Sequence, residues 1–205
     1  MALSNYTELQ AHIADTLNRD DLSTVIPEFI VMAESRLNRE IRHWRMEKRA
    51  TASFDAQYTA LPTDFLQPIR FVVETTPICT LEQQNAKGIA DLREVSNATG
   101  KPTSYCILDG SIEVHPTPDT AYTVEMTYYE KIDSLNSGNP TNWLLENYPD
   151  AYLYGSLLHS APYLAESERL AEYGALYQSS IDGINTDSDQ SRTASSGRRI
   201  IIRSY

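Results

Sequence analysis

The chain has 205 residues, 41% hydrophobic and 22% charged, with a formal net charge of −11. That composition suits a globular chain with a real core, in one elaborated domain or two small ones. It excludes a membrane span, which needs roughly 18–20 apolar residues in a row, and its acidity opposes casual binding to nucleic acid.

The charge is uneven. Residues 51–183 hold six Lys/Arg against eighteen Asp/Glu, whereas from 184 onward four Arg stand against two Asp. The N-terminal MALSNYTELQ lacks the basic and apolar parts of a secretory signal, so export is not expected.

A first helix is expected to start at Ser4 or Asn5, either of which can cap it, with Glu8 placed as in a capping box. Tyr6, Leu9, Ile13 and Leu17 recur at helical spacing, and NRDD (18–21) ends the run. Pro27 suits the first turn of a second helix. Its stripe, Ile26, Ile30, Ala33, Leu37, Ile41 and Trp44, predicts one continuous helix of roughly 20 residues. Glu34, His43 and the arginines at 36, 39, 42, 45 and 49 fall on its other faces. That arginine ridge could meet phosphates, but with Glu34, Glu40 and Glu47 interleaved it reads rather as intrahelical ion pairs or a charged subunit contact, with Arg36, Arg39 and Arg42 at its centre.

From about residue 50 the period changes to that of strands. TLEQQNAKGIADLREV (80–95) can hold a short helix. Asp109-Gly110, between SYCIL and SIEVH, is a strong hairpin signal. In TAYTVEMTYYEKI (120–132) the residues Tyr122, Val124, Met126 and Tyr128 alternate with polar ones, as in a half-buried strand. A small antiparallel sheet of four to six strands is expected here.

Helical pattern returns at 141, with Pro149 and Asp150 in a first turn and a break at Pro162. Leu170, Tyr173, Tyr177, Ile181 and Ile184 form a last stripe, after which Gly183 and Asn185 are expected to weaken the helix. Of the tyrosines clustered in these helices, Tyr152, Tyr173 and Tyr177 suit either core packing or a subunit interface. The expected fold class is α+β: N-terminal helices (1–49) and C-terminal helices (136–184) in one bundle, a β-rich insertion (50–135), and an extended C-terminal arm (185–205).

Catalytic machinery is not expected. GxSxG, HExxH, the P-loop and GxGxxG are all missing. His12, His43, His115 and His159 stand far apart, His43 reading as a solvated residue, His115 as a turn residue and His159 as a core residue. Glu166 and Glu168 complement a helix start. Cys79 and Cys106 read as buried free thiols, too few for a structural zinc site. No cofactor, metal site or catalytic residue is therefore assigned.

The arm ends in SSGRRIIIRSY (195–205). Alone, the isoleucine run invites aggregation, and Arg198, Arg199 and Arg203 bracket it as gatekeepers. Ile200, Ile201 and Ile202 can add an edge strand to the chain's own sheet or to another protein. A tether of this length, about 70 Å if fully extended, reaches beyond what docking at home requires.

YTELQAHIADTLNRDDLSTVIPEFIVMAESRLNREIR (6–42), TALPTDFLQPIRF (59–71) and NWLLENYPDAYLYGSLLHSAPYL (142–164) resemble, in order, the head–tail adaptor proteins of tailed bacteriophages. The terminal arginine segment resembles the end of that family, and residues 75–135 match it only in pattern. The resemblance implies a virion neck component, assembled in the host cytoplasm: a homo-oligomeric, usually dodecameric, ring under the portal. It implies a link to tail or nozzle proteins and a channel through which DNA passes without specific binding. It further implies that Arg198, Arg199, Ile200, Ile201, Ile202, Arg203, Ser204 and Tyr205 form a portal-binding strand. Another neck component, such as a head-completion or tail-terminator protein, and a nucleic-acid-binding regulator are the alternatives.

Overall fold

A computed structural model describes residues 3–164 and 167–194. The fold is α+β, with helices on both sides of a β-rich stretch of chain. It divides into two compact units: one runs to Trp44 and resumes at Ile132, and the other is Arg45–Lys131. These changeovers differ from the expected 49/50 and 135/136. Strand pairing already begins at Glu47. At the far side, residues 132 and 135 are hydrogen-bonded to the second helix.

In the helical unit, α1 (Tyr6–Leu17) starts where Asn5 Oδ1 accepts the Glu8 N–H at 3.0 Å, and Glu8 reaches back to the Ser4 N–H at 2.9 Å. It ends at Asn18, whose left-handed backbone (φ 51°) lets the Arg19 N–H reach the Ala14 carbonyl at 3.1 Å. Leu9, Ile13 and Leu17 are its buried face.

Helix α2 spans Ile26–Glu40. It stops four residues short of Trp44, because Ile41 turns to extended backbone (φ −93°, ψ 135°) and buries its side chain completely. Arg42 folds back over the helix end, its Nη1 donating to the carbonyls of Asn38 (2.8 Å) and Ile41 (2.5 Å). The arginine ridge therefore does not run along one helix. Arg45 lies in a 3-10 turn (Trp44–Met46) and Arg49 on a strand of the other unit.

Helices α4 (Trp143–Asn147), α5 (Pro149–Tyr163) and α6 (Ser167–Ala194) complete the unit; α3 (Ala86–Val95) belongs to the other. Asn142 caps α4, accepting the Leu145 N–H at 2.8 Å, and Pro149 opens α5. Helix α5 packs on α1, α2 and α6. At Gly155 a Cβ would lie 3.2 Å from Ala33 Cβ and 3.3 Å from the Tyr177 ring, so these helices meet through the missing side chain.

The expectation that helix gives way to an extended arm at 185 is corrected. Helix α6 continues through NTDSDQSRTA to Ala194. Intrinsic propensity there is poor, and tertiary contacts overrule it. Ile184 and Ser188 are each only 1% exposed. Ser188 Oγ accepts the Trp44 N–H at 3.1 Å. Asp187 Oδ2 accepts the Tyr148 hydroxyl at 2.5 Å and lies 3.6 Å from His43 Nε2.

The second unit has eight strands in two four-stranded sheets, more than the single sheet expected. The first sheet has the order β1-β8-β3-β4, from Glu47–Phe54, Tyr122–Glu130, Phe65–Val73 and Cys79–Thr80, all antiparallel. The second has the order β2-β7-β6-β5, from Tyr58–Ala60, Ser111–His115, Ser104–Leu108 and Glu82–Gln83, with β5 and β6 parallel. Helix α3 (Ala86–Val95) packs on β6 and β7.

Both sheets bury one common core. Phe54, Phe71, Val124, Met126 and Tyr128 come from the first sheet, and Tyr105, Ile112 and Val114 from the second. The Phe71 and Tyr105 rings meet at 4.6 Å. The expected alternation in β8 is observed, with Val124, Met126 and Tyr128 buried. The hairpin turn is also as expected: Asp109 (φ 49°) and Gly110 (φ 70°) are both left-handed.

Candidate functional site

The segment singled out for partner binding, Arg198 to Tyr205, lies outside the described residues. What the structure does describe is its mount. Helix α6 has 28 described residues, a rod of about 42 Å that reaches Ala194. Eleven residues, 195–205, lie beyond the described part of α6.

The six residues proposed for a subunit contact separate by burial. Tyr152 and Tyr177 are completely buried and Tyr173 is 7% exposed, all within the chain's own helical unit. Tyr152 receives a hydrogen bond from Asn142 Nδ2 at 2.7 Å and its hydroxyl lies 3.5 Å from Glu34 Oε1. Arg36 is half-buried, paired with Glu40 at 2.8 Å, and its guanidinium sits 4.6 Å from the centre of the Tyr177 ring. Arg42 is spent on the carbonyl end of α2. Arg39 is exposed on α2 and makes no ion pair among the described residues. On the same helix, Val31 and Met32 are 58% and 49% exposed.

Burial raises the phenols of Tyr152 and Tyr177, with the carboxylates of Glu34 and Glu40 adding to the effect. Both rings are thus held neutral. Burial likewise lowers the pKa of His159, aided by the charges of Arg36 and Arg39. Its Nε2 is buried with no hydrogen-bond partner among the described residues. His115 is buried at the end of β7 rather than held in an open turn. Cys106 is buried and Cys79 half-buried, both free thiols. Burial first, and then the Glu113 carboxylate, push the Cys106 thiol up, the reverse of what a nucleophile needs.

His43 is corrected from a solvated residue to a core one. It is 1% exposed, stacked on Trp143 at 5.1 Å and flanked by Trp44 and Tyr148. Sequence reasoning also missed Glu34, which is buried and hydrogen-bonded to the chain returning from the β-rich unit. The available signal was the Glu34/Asn38 pair, one turn apart beside the apolar stripe. A lone polar pair on that flank marks a place where backbone must be satisfied.

A cleft of about 660 Å³ opens between the start of α5 and the middle of α6. Tyr148, Asp150, Tyr154, Leu176, Gly183 and Asp187 line it. Among the described residues no group of three His, Cys, Asp or Glu is placed to hold a metal ion, and no helix is long and apolar enough to cross a membrane.

What is on display is a helical unit, a two-sheet unit and a rod leading to a basic end. A family model described as SU10 adaptor protein matches residues 4–200. The chain belongs to that family. It is a family of phage head–tail adaptors, a structural rather than enzymatic class, and the match agrees with the resemblance carried by the three sequence segments. The adaptor match runs through both units and along the whole of α6. No curated protein matches the chain.

Proposed function

We propose that this adaptor forms a ring, of twelve copies by analogy with its family, that docks on the portal and joins it to tail or nozzle proteins. The observation that carries this reading is the family match over residues 4–200, which extends past Ala194 into the basic terminal segment. Arg198 to Tyr205 pair backbone to backbone with the portal. Affinity then comes from main-chain hydrogen bonds, and a ring multiplies many weak contacts. The α2 face bearing Arg39, with Arg36 beside it and the core tyrosines behind, meets the neighbouring subunit. The adaptor acts as a structural part, not as an enzyme.

The net charge of −11 per subunit supports an acidic lumen. Such a wall offers phosphates no cationic partners, so DNA slides without counterion-driven binding. Co-sedimentation with portal tests the docking: full-length adaptor binds, and a chain ended at Ser195 does not. Equal binding of the two removes the terminal segment from the mechanism. A reconstruction of the ring with a basic lumen defeats the channel assignment.

A further inference from the structure

The cleft beside α6 has the composition of a site for an arginine-bearing strand. Asp150 and Asp187 both line it, together with Tyr148 and Tyr154. Asp187 is tied to Tyr148 (2.5 Å), and Asp150 accepts the Ser180 hydroxyl at 2.6 Å. Both carboxylates are therefore held in place on the cleft wall. Guanidinium groups bind carboxylates through paired hydrogen bonds and stack on tyrosine; Arg36 on Tyr177 already shows the stacking in this chain. The floor is Gly183, in the interior of α6, where a Cβ would meet nothing within 4 Å. A glycine there weakens the helix, and it leaves open room for another segment to lie close.

The chain itself supplies a complementary segment. The described part of α6 reaches Ala194, seven residues after Asp187. Seven residues are about two turns, so Ala194 lies about 10 Å along the helix from Asp187 and over the same face. The next residues, Ser195-Ser196-Gly197, carry turn chemistry that lets the chain reverse. Arg199 is then within reach, since five residues span up to about 17 Å. Spacing agrees as well. Asp187 and Ser180, the partner of Asp150, are about 10 Å apart along the helix. Arg199 and Arg203 are at most about 13 Å apart, with the three isoleucines between them.

We propose that this cleft receives the chain's own C-terminal segment, with Arg199 at Asp187, Ile200 to Ile202 across Gly183 toward Leu176, and Arg203 at Asp150. The segment is thereby covered in the free subunit. Its consequence for assembly, that a portal must draw the strand out before it can pair, rests on the function proposed above; the docking itself does not.

Trypsin, which cuts after arginine, reads this directly on the full-length chain. Cleavage after Arg199 and Arg203 is followed by mass spectrometry under native conditions, with a synthetic peptide of residues 195–205 as the unprotected reference. The folded protein is cut several-fold more slowly than the peptide, and the double substitution Asp150→Asn with Asp187→Asn removes the protection. Gly183→Leu removes it too, by filling the floor; it favours the helix, so a normal thermal melt separates blocking from unfolding. Cleavage as fast as in the peptide, or protection unchanged in both variants, overturns the proposal. Protection that grows with protein concentration assigns the cleft to a second copy and overturns docking within one chain. No portal is present, so failure here is separate from failure of the co-sedimentation experiment.

Discussion

Glu34 Oε1 accepts the backbone N–H of Leu135 at 2.7 Å, joining residues 101 positions apart in the chain. One turn along α2, Asn38 Oδ1 accepts the Ile132 N–H at 2.8 Å. Asn142 Nδ2 donates to the Asp133 carbonyl and to the Tyr152 hydroxyl, each at 2.7 Å. The irregular segment that re-enters the helical unit thus has its main chain hydrogen-bonded by side chains of α2 and by the cap residue Asn142. Removing the acceptor strands a buried N–H. Glu34→Ala is expected to destabilise the chain by about 1–3 kcal/mol, and Glu34→Gln, which keeps an acceptor, by much less. Urea denaturation of the two variants at neutral pH makes the comparison.

Burial pushes the Glu34 carboxyl above its ordinary value of 4.5, while hydrogen bonds from Leu135, Ser134 and Tyr152 pull it partly back. Its folded pKa is then the higher one, so between the two values the native state binds more protons than the unfolded state. Stability contributed by this group falls as pH rises from about 4.5 through the raised value, and is level above it. Glu34→Gln lacks that slope. Chemical denaturation of both proteins from mildly acid to neutral pH should show the difference between them changing in this window; parallel curves would refute it.

Two glycines on facing helices make opposite predictions. Gly155 is walled by Ala33 and Tyr177, and Gly183 faces open space. Gly155→Leu overpacks the α2–α5–α6 junction and should destabilise by about 1–3 kcal/mol or more. Gly183→Ala should stabilise by about 0.5–1 kcal/mol through helix propensity. Thermal melts of the two variants against the parent decide both.

The Asp109-Gly110 turn needs left-handed backbone at both positions. Gly110→Val should cost about 1–2 kcal/mol, since a Cβ opposes that conformation. Asp109→Asn should be close to neutral, because asparagine enters the left-handed region readily. The measurement is the unfolding midpoint, with hydrogen exchange at Leu108 and Ser111, the pair that flanks the turn, reporting on the hairpin itself.

Features set by neighbours in sequence were legible. The Asn5 cap, the stop at Asn18, the Asp-Gly turn and the alternation of β8 each follow from contacts within a few residues. Features set by distant packing were not. His43 sits among charged residues in sequence, yet Trp143 and Tyr148 bury it. The apolar period of α2 runs past Glu40, but Ile41 serves the core better from extended backbone. Tyr152, Tyr173 and Tyr177 left core and interface open, and burial places all three inside the chain's own unit.

From sequence alone came the α+β class, the helix–sheet–helix order and the adaptor family, because periodicity, turn chemistry and ordered motifs survive without coordinates. The tertiary structure alone decided that a polar stretch with poor helix propensity would be helix as far as Ala194. The reason is that Asp187 and Ser188 find partners at positions 42–44 and 148 and Ile184 is buried, and such contacts between distant segments outweigh what any one residue prefers locally.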